Sequence, residues 1–400
     1  MSRILVWSPN YAPELIGLPP LVTDACDWLA ARVHAVEVVT AVPNYPEREI
    51  FPGYRGKLSL TEQRGAVRVH RSWLRVRLCE RFVDKVLYEL SFAAFSAPAA
   101  ARRVRRADVV LCVVPCLSAA VAASMLVRTA RPRTRFVLWV QDLVLRAASA
   151  VPDYGSAARR LIRLTGGIEA VTFRAADRVV VCSQAFSEYA ASLGVERSRI
   201  ETISNWVNLE RVTARPPREH TRPTRFLYAG NLGYSQGFDT LIEACRLVGD
   251  DIELEIVGAG NVASEVRRLV DGTTNVRLSP PVTSAEYPDL LASADVHVVL
   301  QRGASANANF PSKIASSMAS GRPLVASISP DSAAASILIE SGGALVVPPD
   351  APQELADAMR TLSANPGLGR ELGARARAYA EEHFDRERAL ARLEAALLAF

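Results

Sequence analysis

The stretch "ANANFPSKIASSMASG", Ala306 to Gly321, reads as a loop, then Pro311 and Ser312 at a helix start, Lys313, a short helix and a Gly stop. Only three of the 47 basic residues are lysine, namely Lys57, Lys85 and Lys313. A chain so biased to arginine keeps one ammonium here, where a full charge adds to N–H donors that already favour anions. Two other loops point the same way. "AGNLGYSQGFD" holds Gly230, Gly233 and Gly237, and "VGAGN" holds Gly258 and Gly260. Glycine lets backbone N–H groups approach a phosphate closely, although it also marks any tight strand-to-helix turn. Neither loop is a dinucleotide fingerprint or a Walker loop. Asp142, in "WVQDL" behind Gln141, follows an apolar strand. A carboxylate there would take a proton from a hydroxyl or cap a helix.

Other chemistries find less support. The six cysteines are scattered, and Cys112 and Cys116 have no second Cys/His pair to complete a zinc site, so reduced, buried thiols are expected. No Asp-x-Asp motif stands at a strand end, so no essential metal and no cofactor are expected. His297 lies mid-strand and reads as core, and the other four histidines carry no assigned chemistry.

These residues need elements to place them. "RILVWS", "AVEVVTA", "VRVHRS", "DVVLCVV", "RFVLWVQD" and "DRVVVCS" read as strands with helices between, one of them inside Pro19 to Ala31. "RPPREHTRPTR", Arg215 to Arg225, lacks apolar periodicity and reads as a linker. A second series runs through "RFLYAG", "IELEIVG", "NVRLSP", "DVHVVLQ" and "PLVAS", and long helices close the chain from Pro352. Strands alternating with helices imply two doubly wound parallel-sheet α/β domains with ligands at the strands' carboxyl ends. The expected division is 1–205, 206–380 and a closing helix over 381–400.

Charge is uneven. Up to Asn205 there are 28 Lys and Arg against 18 Asp and Glu, and from Trp206 on 19 against 24. A basic first half suits an anionic surface. Val86 to Arg106, an apolar helix running into Arg102, Arg103, Arg105 and Arg106, would suit a lipid headgroup layer, or be an ordinary half-buried helix. Nucleic acid is disfavoured, because no stacking aromatics interleave with the basic residues. Val109 to Val127 has 19 residues without a charge, long enough to span a bilayer, yet Pro115 splits it into a buried strand and helix. The N-terminus lacks a signal-peptide pattern, so a cytoplasmic protein, peripheral at most, is expected.

Taken in order, "NYAPELIG…DWLA", "WVQDLVL", "SNWVN", "YAGNLGYSQGFDTLIEA", "VVLQRGASANANFPSKI…MASGRPLVA" and "GGALVVPPDAPQELA" resemble the retaining nucleotide-sugar glycosyltransferases of family 4. The likeness is greatest to bacterial exopolysaccharide members of the colanic-acid type. It implies the GT-B fold, two facing Rossmann-like domains across a deep cleft. The second domain would hold the nucleotide, and the C-terminal helix would return to the first. It further implies a sugar passing with retention from a nucleotide-sugar donor to a lipid-linked or small-molecule acceptor. Donor-binding residues on this pattern are Gly230, Asn231, Gly233, Gly258, Arg302, Asn307, Asn309, Pro311, Ser312, Lys313 and Ser316. Gly17, Gln141 and Asp142 would meet the acceptor, with Asp142 and Lys313 catalytic.

The sequence departs from the family pattern at three places. Ala308 and Ser316 stand where the family carries two glutamates, which contact donor sugar and ribose. Asn231 and Ser235 or Gln236 replace an Arg and a Lys that would grip the diphosphate, leaving Lys313 and Arg302 as the cations. Pro19 and Pro20 in "GLPPL" replace part of a Gly-x-Gly-Lys-like loop and remove two backbone donors. A second reading follows, a GT-B relative that binds a nucleotide sugar or a partner protein without turnover.

Overall fold

The structure, a computed structural model, describes residues 1–46, 48–77, 82–130, 134–143, 156–216, 223–303 and 313–398. The chain divides into two compact units, Met1–Ser204 with Arg388–Phe400, and Asn205–Glu387.

The first unit is built on β1 (Arg3–Trp7), β2 (Ala35–Ala41), β3 (Ser59–Arg64), β4 (Val67–Ser72), β5 (Val109–Val114), β6 (Arg135–Val140), β7 (Arg178–Val181) and β8 (Ile200–Thr202). They lie in the order β3-β4-β2-β1-β5-β6-β7-β8, all parallel except β3, which runs antiparallel to β4. β5 is buried along its whole length, as a strand covered on both faces must be. The helix that follows it, Leu117–Thr129, packs between the helices Phe82–Val104 and Ser156–Ala175. The 19-residue uncharged run is therefore a strand and a helix. No helix among the described residues is long and apolar enough to cross a membrane. Prolines 19 and 20 sit in the first turn of the helix Leu18–Ala31, where their missing N–H groups have no helical partner to lose. The closing helix, Arg386–Leu398, is tied to this unit from Arg388 on. Arg392 meets Glu201 at 2.5 Å, and Glu394 meets His34 at 3.0 Å.

The second unit holds β9 (Thr224–Ala229), β10 (Ile252–Val257), β11 (Val276–Ser279), β12 (Val296–Leu300), β13 (Leu324–Ser327) and β14 (Ala344–Val347). Their order is β11-β10-β9-β12-β13-β14, parallel throughout. Phe226, Tyr228, Leu254, Ile256 and Val298 point into the core on one side, against Leu241, Ile242 and Leu355 from helices. In each unit the strand order reverses beside its first strand, at β1/β5 and at β9/β12. The crevice beyond such a reversal is where open α/β sheets bind ligands.

Three strands fall outside the sequence reading. β3 is an exposed antiparallel edge with "SLTEQR" polar at every position but Leu60, and β8 and β14 are edge strands of three and four residues. Edge strands need neither a continuous apolar run nor clean alternation, so periodicity does not announce them. The linker expected over Arg215 to Arg225 is described only at its ends.

Candidate functional site

In the second unit β9 ends at Ala229 and its pairing with β10 runs on into both glycine loops. Gly230 N–H donates to Val257 O and Leu232 N–H to Ala259 O, each at 2.9 Å. The loops come so close that a Cβ on Gly258 would lie 1.9 Å from Gly230 O, and one on Gly260 2.3 Å from Leu232 O. Both glycines are thus accounted for by one loop packing on the other. Gly233 N–H donates to Gln236 Oε1 at 2.9 Å, and the Asn231 side chain packs over Gly233 and Gly260. The N–H groups of Gly230, Leu232 and Gly233, read from the sequence as phosphate donors, are therefore engaged inside the loops.

Lys313 opens the helix Lys313–Ala319 and lies across Gly230, its Nζ 3.5 Å from where a Cβ on that glycine would stand. The ammonium sits 3.3 Å from the centroid of the Tyr228 ring. It is buried and has no hydrogen-bond partner among the described residues. Burial pushes its pKa well below the usual lysine range. Tyr228 is fixed in turn, its hydroxyl donating to Asn231 O at 2.8 Å. A buried amine on an aromatic face gains stability in its charged form when an anion comes beside it. Arg302 differs. Its guanidinium is 2.7 Å from Asp239 and 3.5 Å from Asp350, and its N–H donates to Ser235 O, so it staples the loop. Ser316 Oγ donates to Lys313 O and lies 3.0 Å from the Tyr287 hydroxyl. Asn307, Ala308, Asn309, Pro311 and Ser312 lie outside the described residues. His297 is buried on Ser320 at 2.9 Å with its pKa lowered to about 3, a core histidine.

The first unit gathers a different set around the ends of β1, β2, β5 and β6. Asp142, just past β6, is half-buried, and its pKa is pushed up to about 7 by burial, offset in part by the field of Lys85. Gln141 is buried, and its amide nitrogen has no partner among the described residues. Gly17 has φ 79° and a Cβ there would stand 3.4 Å from the Tyr45 ring, a phenol that also feels Asp142. Glu14 is buried and accepts the N–H groups of Asn44 and Tyr45 at 2.7 and 2.8 Å, with Asn10 at 3.0 Å. Burial raises its pKa to about 6 against those bonds. Glu89 faces the start of the helix Leu117–Thr129 and has its pKa raised to about 7, again by burial first, with Lys85 and Arg48 opposing. Arg48 stacks on Tyr88 at 4.3 Å.

Gly17, Gln141 and Asp142 thus fall in one cluster of the first unit. Gly230, Asn231, Gly233, Gly258, Arg302, Lys313 and Ser316 fall in one region of the second. Sequence reasoning missed Tyr228 and Tyr287, and Glu14, Lys85 and Glu89. Lys85 and Glu89 stand one helical turn apart, the one local signal among these. Chemically, the second unit offers a buried lysine amine with no acceptor among the described residues, and the first offers carboxyls with pKa values raised towards neutrality.

Two doubly wound parallel-sheet units are the architecture of the GT-B glycosyltransferases. Residues 17–206 match the glycosyl transferase 4-like domain and residues 223–365 match glycosyl transferases group 1, and the chain belongs to the glycosyltransferases that combine these two domains. It is similar to an Escherichia coli K12 protein named as colanic acid biosynthesis glycosyl transferase WcaI, 29% identical over 334 residues, 80% of this chain and 81% of the relative. Among solved structures it is similar to sucrose-phosphate synthase from Thermosynechococcus elongatus, with TM-score 0.74, 18% identity and 98% of both chains covered. It is also similar to Anabaena HepE in complex with UDP, with TM-score 0.72, 15% identity and both chains covered in full. At such identities the solved structures establish the fold.

Proposed function

We propose that this chain transfers a sugar from a nucleotide-sugar donor to a lipid-linked or small-molecule acceptor. The observation that carries the reading is Lys313, a buried amine on Tyr228 with no acceptor among the described residues, at the β9/β12 switch point. A nucleoside diphosphate brings at least two negative charges, and the neighbouring N–H groups and Arg302 are already engaged. Lys313 supplies the missing charge and stabilises the departing diphosphate. HepE, a structural relative, is described in complex with UDP and with UDP-glucose. Asp142 takes the proton of the attacking acceptor hydroxyl, a role for which a carboxyl titrating at about 7 is suited. Gly17 and Gln141 line the acceptor side. Retention of anomeric configuration is what the family resemblance implies. The protein works in the cytoplasm, with Val86 to Arg106 attracted to the anionic inner face of the membrane.

Incubation of the purified chain with a panel of nucleotide sugars, read by mass spectrometry, tests this. Release or transfer of the sugar from one donor is expected. The commitment of Arg302 to Asp239 and Asp350 favours a second reading, binding without turnover. Tight nucleoside-diphosphate binding with no turnover of any donor would establish it instead.

A further inference from the structure

The helix Phe82–Val104 turns an apolar face outward. Val83 is 60%, Leu87 39% and Leu90 52% exposed, and Ala94 and Pro98 continue the same line at helical spacing. That line carries no charge until Arg105. Arg102, Arg105 and Arg106 are exposed at its end and have no carboxylate partner among the described residues. Exposed apolar side chains recur at Met125 on the helix packed alongside, and at Ile168 and Val171 on the helix packed beyond that one. Scattered apolar side chains on a surface need no explanation, but a line of them along one helix, ending in free arginines, does.

We propose that this outer face lies in the surface of an anionic phospholipid bilayer, with Val83, Leu87 and Leu90 inserted among the acyl chains and Arg102, Arg105 and Arg106 on the headgroup phosphates. The proposal rests on the membrane reading above and adds that apolar insertion, beyond charge attraction, holds the protein there. The helix is too polar on its inner side to cross the membrane and is built to lie along it. A second copy of the chain fits less well, because pairing two such faces brings two unpartnered arginine clusters together within a basic unit. A bilayer receives the apolar line in its acyl region and the arginines in its phosphate layer.

The test is co-sedimentation of the full chain with vesicles of phosphatidylcholine alone, or with about one third phosphatidylglycerol. Wild type is expected to bind the anionic vesicles, and Leu87→Ser with Leu90→Ser to lose at least about ten-fold in affinity. Both leucines are exposed, and an unchanged thermal unfolding midpoint and far-UV circular dichroism spectrum show that the fold survives. In a Cys79→Ser background the other cysteines are buried, so a polarity-sensitive fluorophore on Leu90→Cys reports insertion directly. Its emission should shift to the blue with anionic vesicles only. If the leucine variant binds as wild type does and the fluorophore does not respond, insertion is overturned while charge-driven docking stands. If wild type ignores anionic vesicles, both fall. A dimer in solution that the leucine substitutions dissociate overturns the bilayer in favour of a second copy.

Discussion

The two switch points of this molecule handle charge in opposite ways. At β9/β12 the N–H groups of Gly230, Leu232 and Gly233 are engaged inside the loops, and Lys313 lies on an aromatic ring with no hydrogen-bond partner among the described residues. At β1/β5 the perturbed groups are acids. Glu14, Glu89 and Asp142 all have raised pKa values of about 6 to 7, each through burial. Burial disfavours charge in both places, but the consequence depends on which charge is buried. A buried ammonium regains its proton's stability when an anion arrives. A buried carboxyl sits where it can accept a proton near neutral pH. On the proposed function, one doubly wound unit would meet the departing anion and the other the hydroxyl that loses its proton.

The largest expected effect breaks the acid side. Asp142→Asn should cut turnover by about 10²- to 10⁴-fold, the usual contribution of a general base, with nucleoside-diphosphate affinity unchanged. In wild type, kcat/KM should rise with pH through about 7, as the carboxyl ionises. The same raised pKa carries a stability signature. A carboxyl whose folded pKa exceeds its unfolded one destabilises the fold once it ionises. This cost is absent below the unfolded pKa and is complete above about 7. Asp142→Asn should therefore raise Tm more at about pH 8 than at about pH 5. Undiminished turnover would remove Asp142 from the chemistry, and equal loss of nucleotide affinity would mark it as scaffold.

The cation side should respond next. Lys313→Ala is expected to weaken nucleoside-diphosphate binding by about 1.5–3 kcal/mol, and the free nucleoside far less. Burial lowers the pKa of the free lysine, and a bound diphosphate raises it again. Binding should take up a proton between those two values, and affinity should fall as pH rises across that range. Calorimetry in buffers of different ionisation enthalpy reads the uptake, which Lys313→Ala should abolish. Loss of affinity without any change in proton uptake would mean that the ammonium is charged before the ligand arrives.

The same contrast explains what the sequence made legible. β5 was readable because "VVLCVV" is apolar at every position and Pro115 stops it. β14, four half-buried residues behind two glycines, was not. Lys313 stood out by composition and position, but its support did not, since Tyr228 and Lys313 meet only through the fold. Gly258 and Gly260 stand out in the sequence as glycines of a phosphate-type loop, and the structure adds a packing reason for them. They admit a neighbouring backbone, and the N–H groups expected to meet a phosphate meet carbonyls. The acids at β1/β5 were the least legible. Burial raises their pKa, and Glu14, for one, is enclosed with Asn44 and Tyr45, about thirty residues away in sequence.

Ser316 should give the smallest effect and the sharpest contrast with Lys313. Its hydroxyl donates to Lys313 O, so the Tyr287 hydroxyl donates to Ser316 Oγ. One lone pair remains, enough to accept a bond from a ribose hydroxyl but not to replace a carboxylate. Ser316→Ala should then cost about 0.5–1.5 kcal/mol of affinity. The loss should be equal for nucleoside and nucleoside diphosphate, since both carry the ribose, whereas Lys313→Ala separates them. The substitution also leaves the buried Tyr287 hydroxyl without its acceptor, so Tm should fall. Ser316→Ala with Tyr287→Phe removes donor and acceptor together and should recover most of that Tm. If the double variant recovers affinity as well, Ser316 acts only through the packing of Tyr287. If affinity stays low while Tm returns, its hydroxyl touches the ligand.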